Sequence, residues 1–118
     1  MKIHYKFTQQ CEREFKKLQK KFTTLANDVE RFCHVTFLHE EQAEFPKKHK
    51  NYTILKEQKN ICIYKARMAC SSLKGNKFRV IYARHEDSIE IIFIELYIKS
   101  KSNREDTQRI SDYLSQFN

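Results

Sequence analysis

The chain opens on an alternation of apolar and polar positions, with Ile3, Tyr5 and Phe7 on one face and His4 and Lys6 on the other, the period of two that marks a short strand. The pattern then turns helical. Thr8 stands where an N-cap belongs, and Cys11, Phe15, Leu18 and Phe22 recur at helical spacing as an apolar stripe suited to a core. The opposite face carries Arg13, Lys16, Lys17, Lys20 and Lys21, a solvated surface or, alternatively, a ridge that tracks phosphates. Thr23 or Thr24 can cap a second helix, on which Leu25, Val29, Phe32, Cys33 and Thr36 keep the period. So short a connection makes the pair an antiparallel helical hairpin.

Residues 40–59 lack a clear period, contain Pro46 and the basic run Lys47-Lys48-His49-Lys50, and read mainly as loop, with the run solvated or in contact with phosphate. Three strands follow, over 61–70, 77–85 and 89–99. The first two are joined through 71–76, where Gly75 supplies the turn, and the last two through 86–88. The third is apolar on both faces around 91–94, which makes it a central strand with helices on at least one side. Ser102 and Glu105 have the spacing of a capping box, Glu105 and Asp106 suit a first helical turn, and Ile110, Tyr113, Leu114 and Phe117 form the stripe of a C-terminal helix. The expectation is one α+β domain over residues 1–118: an N-terminal strand, a helical hairpin, a three-stranded antiparallel meander and a C-terminal helix.

Composition adds a partner class. A chain of 118 residues suits a single domain, and its 23 basic against 15 acidic residues give a formal charge of +8, which favours a polyanion. Nucleic acid is preferred to anionic lipid, because the longest run of aliphatic and aromatic residues, 91–94, is too short to span a bilayer. The first residues lack the apolar core of a secretory signal, so a cytoplasmic protein is expected. Cys11, Cys33, Cys62 and Cys70 form no C-x-x-C pair and read as buried thiols. His4, His34, His39, His49 and His85 include no pair four apart, and one glycine cannot build a phosphate loop, so neither metal nor cofactor is expected.

Candidate chemistry sits on the meander. On the first of its strands Lys65 and Arg67 share a face, with Tyr64, Ala66 and Met68 on the other. Arg79, on the next strand, can lie near Arg67 across the ladder, in a register that sequence leaves open. Tyr97 and Lys99 end the third strand and Lys101 lies just beyond. Such a basic face can stabilise charge building on a phosphodiester, each Arg offering a rigid fork to phosphate. The alternatives are an exposed face with no ligand, or an ion-pair network with Glu95, which shares the face of Tyr97 and Lys99. His85, in the turn after the second strand, is either an acid or base near neutral pH or a solvent-exposed histidine.

The segment IYKARMACSSLKGNKFRVIYA, preceded by ILKEQ and following a strand and a helical hairpin, resembles the toxins of the RelE/ParE superfamily, the small basic partners of type II toxin–antitoxin pairs. The matching patches are Leu55-Lys56, where the family has a Leu-Lys-Gly-like turn, Tyr64-Lys65-x-Arg67, and Phe78-Arg79-Val80-Ile81-Tyr82. The resemblance implies a ribosome-dependent endoribonuclease that enters the A site and cuts mRNA by attack of a 2′-hydroxyl on the adjacent phosphate. Its implied partners are a cognate antitoxin, the ribosome and mRNA. By the same carry-over Lys65 and Arg67 bind RNA and support proton transfer, Arg79 stabilises the transition state, and Lys99 or Lys101 supplies a further cation. Lys56, Tyr97, Lys101 and His85 complete the implied RNA contacts. RelE enzymes often carry a catalytic Tyr a few positions after the last basic residue; residues 103–107 have none, and Tyr97 is the candidate substitute. The ParE branch, which poisons DNA gyrase without a nuclease site, gives the alternative of a gyrase-directed toxin or a silent nucleic-acid-binding relative.

Overall fold

The computed structural model describes residues 4–101 and 104–117, the side chain of Asn76 excepted, so Ile3 and Ser102 of the expected strand and capping box lie outside the described residues. Strand β1 (Tyr5–Phe7) leads directly into helix α1 (Gln9–Lys21), whose N-terminus is capped by the Thr8 hydroxyl accepting from the Cys11 N–H at 3.3 Å. The strand and the helical stripe converge where Phe7 stacks on Phe15, 4.8 Å between centroids. Helix α2 (Leu25–Glu40) buries Leu25, Val29, Phe32, Cys33 and Thr36, all on the expected stripe. Thr24 occupies its N-cap position without capping the backbone: its hydroxyl bonds Asp28 Oδ2 at 2.8 Å and the Ser72 hydroxyl at 2.7 Å.

Residues 40–59 are not all loop. They contain strand β2 (Tyr52–Gln58), an edge strand antiparallel to β3 (Ile61–Cys70). The register shifts between Ile54 and Lys56, and most of the strand is exposed, so the alternation that announces a strand is broken where it would be read. Strand β4 (Leu73–His85) begins earlier than the pattern suggests. Cys70 pairs with Leu73 across the two residues Ser71 and Ser72, and Gly75, at φ +81°, lies within β4 where the ladder shifts register, not in the turn. Strand β5 (Ile91–Ile98) completes a five-stranded sheet of order β1-β5-β4-β3-β2, in which β1 runs parallel to β5 and every other pairing is antiparallel.

The helices divide between the faces. Helices α1 and α2 cover one, packing Phe22, Leu25 and Phe32 against Phe78, Tyr82 and Phe93. Helix α3 (Thr107–Ser115) docks Ile110, Tyr113 and Leu114 on Ile61, Ile63, Ile81 and Ile94 of the other, and Phe117 stays exposed. Its N-cap is Asp106, accepting from the Gln108 and Arg109 N–H groups at 3.0 and 3.4 Å, so Glu105 precedes the helix instead of standing in its first turn. Arg109 ties α3 to α1 through Glu14 at 2.7 Å and donates to the Ile94 carbonyl. No helix among the described residues is long and apolar enough to cross a membrane. Cys11, Cys33 and Cys70 are buried and Cys62 half-buried, all as free thiols, and burial pushes Cys11 and Cys33 up to about 12.

Candidate functional site

Alternation along β3 sends Ile61 and Ile63 under α3, and Lys65 and Arg67 to the half of the same face that α3 leaves open. Arg67 stands directly opposite Arg79, and Arg79 directly opposite Tyr97. The Arg67 N–H donates to the Asn51 carbonyl at 3.0 Å, away from β4. The two arginines therefore form a non-hydrogen-bonded pair, the kind in which cross-strand side chains come closest. Lys65, Arg67, Arg79, Tyr97 and Lys99 line one cleft of about 340 Å³, whose other wall is Lys50, Asn51, Thr53 and Leu55.

Its electrostatics are unusual. Arg79 is 8% exposed, with Nη1 on the Phe78 carbonyl at 3.1 Å; burial first, then the charge of Arg67, lower its pKa against a smaller opposing effect of Tyr97. Like charges directly opposite on neighbouring strands destabilise a sheet, and an anion between them reverses the sign. Lys65 Nζ bonds Glu105 Oε1 at 3.0 Å. Burial opposes the ammonium, but the Glu105 hydrogen bond and the neighbouring Tyr97 outweigh it and raise the Lys65 pKa. Tyr97 is 9% exposed, and its buried hydroxyl has no hydrogen-bond partner among the described residues. Burial raises its pKa against the opposing Lys65 charge, leaving a neutral phenol near neutral pH.

The remaining sequence candidates lie elsewhere. Lys56 is exposed in a groove between β2 and α3, beside Glu105, Thr107 and Gln108. Lys101 is exposed in the turn after β5, its N–H on the Ile98 carbonyl at 2.9 Å. His85 is six residues along β4 from Arg79, about 20 Å in an extended strand, and its Nε2 bonds the Tyr113 hydroxyl in the packing of α3. A larger cleft of about 470 Å³ lies at that end, but its Arg84 is engaged by both oxygens of Glu40, at 2.9 and 3.1 Å. Glu95 does not pair with the cleft lysines: its carboxylate accepts the Asp106 N–H at 2.8 Å, and burial raises its pKa. Sequence reasoning missed the contact of Glu105 with Lys65, which depends on how α3 docks, and the part of the wall formed by Thr53 and Leu55, which belongs to the unrecognised edge strand; Lys50, at the end of the basic run, was a candidate phosphate contact. Among the described residues no group of three or more His, Cys, Asp or Glu side chains is placed to hold a metal ion.

The sequence matches no protein-family model and no curated protein. Among solved structures it is similar to a chain of the crystal structure of an archaeal RelE–RelB complex from Pyrococcus horikoshii OT3. The TM-score is 0.51 at 19% identity, over 86% of this chain and 100% of that one. The fold is RelE-like. In this RelE-like fold the open half of the sheet brings Lys65, Arg67, Arg79 and Lys99 to one cleft.

Proposed function

We propose that this chain is a RelE-like toxin of a type II toxin–antitoxin pair, whose cleft holds an mRNA phosphodiester on the ribosome while the neighbouring 2′-hydroxyl attacks it. The observation that carries the reading is the Arg67–Arg79 pair, face to face across β3 and β4 and flanked by Lys65 and Lys99. A phosphate between the two guanidiniums converts their repulsion into charge-assisted hydrogen bonds. As the 2′-oxygen bonds to phosphorus, giving its proton to solvent water, and the bond to the 5′-oxygen breaks, charge builds on the non-bridging oxygens. Arg79, buried and held by the Phe78 carbonyl, meets that charge already oriented. Lys65, kept as an ammonium by Glu105, acts as a cation or proton donor and not as a base. The Lys65 ammonium is the donor for the departing 5′-oxygen, with the neutral Tyr97 packed beneath it.

The solved neighbour is a complex of two proteins. By analogy a cognate antitoxin covers the basic face of this chain, and the protein works in the cytoplasm, where its ribosomal target is. The test is primer extension on a defined mRNA in a purified translation reaction, with wild-type protein, with Arg79→Ala and without ribosomes. New ends within A-site codons that require both ribosomes and Arg79 are the expected result. Intact mRNA at high protein concentration overturns the reading in favour of a gyrase-directed or silent relative.

A further inference from the structure

Arg67 borders a second groove besides the cationic cleft. Strand β2 stops at Tyr52, opposite Ala66, whereas β3 continues to Cys70, so α2, in place of a strand, stands beside the last residues of β3. Between them lies a second groove, of about 170 Å³, and Asn51 and Arg67 line both it and the cationic cleft. The two grooves meet at these shared residues.

We propose that this second groove holds a nucleotide flanking the scissile phosphate, an inference that rests on the RNA-cutting reading. Its charge suits a polyanion. Arg31 and Arg67 line it against the single carboxylate of Asp28, which pairs with Arg31 Nη1 at 3.3 Å and also accepts from Thr24 and Ser71, so the lining keeps a net positive charge. Its apolar wall, with Val35 38% exposed at the rim and Phe32 behind, offers a surface to a base. An acidic peptide would also meet Arg31 and Arg67. The shared Arg67, at the border with a cleft that the proposed function gives to a phosphodiester, favours a ligand that repeats its phosphate at each unit, which RNA does and a peptide does not.

The test is primer extension on ribosome-bound mRNAs in which the nucleotides on either side of the cut are varied, using wild-type protein, Arg31→Ala, Arg31→Lys, Val35→Glu and Arg79→Ala. Both Arg31 and Val35 are exposed, so equal melting temperatures serve as the check on folding. Arg31→Ala and Val35→Glu are expected to cut about tenfold more slowly, the scale of one base contact, with a flattened preference at one flanking position, while Arg31→Lys keeps both rate and preference. Wild-type rate and preference in Arg31→Ala and Val35→Glu overturn the proposal and leave the groove to a protein. Absence of cutting by the wild type, or cutting that does not need Arg79, is a different result: the RNA-cutting reading fails and this inference falls with it.

Discussion

Tyr82 is wholly buried, its ring stacked 5.1 Å from that of Tyr64, and its hydroxyl has no partner among the described residues. A buried, unsatisfied polar group costs about 1–3 kcal/mol. Tyr82→Phe is therefore expected to leave stability unchanged or to raise it by about 1 kcal/mol, a few degrees in melting temperature; a clear loss in thermal unfolding would show that the hydroxyl has a partner. Glu105 makes the complementary case. Glu105→Gln removes the charge that holds the Lys65 ammonium, so the Lys65 pKa falls, and NMR titration of its ammonium group should follow that fall. An unchanged titration would mean that Tyr97 and burial alone set it. Legibility differed between these residues for a physical reason. The pleat fixes that Lys65 and Arg67 share a face, so sequence sufficed there, whereas the direct Arg67–Arg79 pairing depends on the tight Ser71-Ser72 turn and the register shift beside it, which left the register open in the sequence. Nothing local could reveal Glu105, because its contact joins residues 40 apart through the docking of α3.

At the scale of elements, one buried carboxylate clamps the β3–β4 turn to the first turn of α2. Asp28 accepts from the Thr24 hydroxyl at 2.8 Å and from the N–H and hydroxyl of Ser71, each at 3.1 Å. Burial pushes its pKa up, but the hydrogen bonds from Thr24, Cys70 and Ser71 outweigh that and lower it. The folded value thus lies below the unfolded one, so the stabilisation is present above the ordinary Asp range and is lost as pH falls through the folded value. Asp28→Ala is expected to cost about 2 kcal/mol at neutral pH, and the difference from wild type in denaturant unfolding should shrink as pH falls through that range; a difference constant with pH would contradict the clamp. Helix α3 has nine residues, fewer than the 12–15 or so that a helix needs to persist alone in water. Ile110→Ala should cost about 2–4 kcal/mol and loosen the Lys65–Glu105 bond with it; hydrogen exchange across 107–115 matching wild type would refute that dependence. Stripes of apolar residues made α1, α2, β3, β5 and most of α3 readable. The edge strand β2 stayed hidden, because its exposed positions and broken register removed the period.

At the scale of the molecule, the helical hairpin packs on one face of the sheet and α3 on half of the other, and the uncovered half is where Lys65, Arg67 and Arg79, with Lys99 just past β5, come together. The order of the elements other than β2 was legible because each of those carries its own period, but the division of helices between faces was not, since an amphipathic stripe says that a helix docks and not on which side. The central claim is that these cations act on a phosphodiester and do not merely dock the protein. It is tested most directly by single-turnover cutting of ribosome-bound mRNA at saturating protein, comparing wild type with Arg79→Ala and with Arg79→Lys as a charge-keeping control on folding. Loss of one oriented donor to the transition state costs about 10²–10³ in rate, so a fall of that size in Arg79→Ala, with ribosome binding retained, is the expected result. Equal rates in wild type and Arg79→Ala would contradict the account.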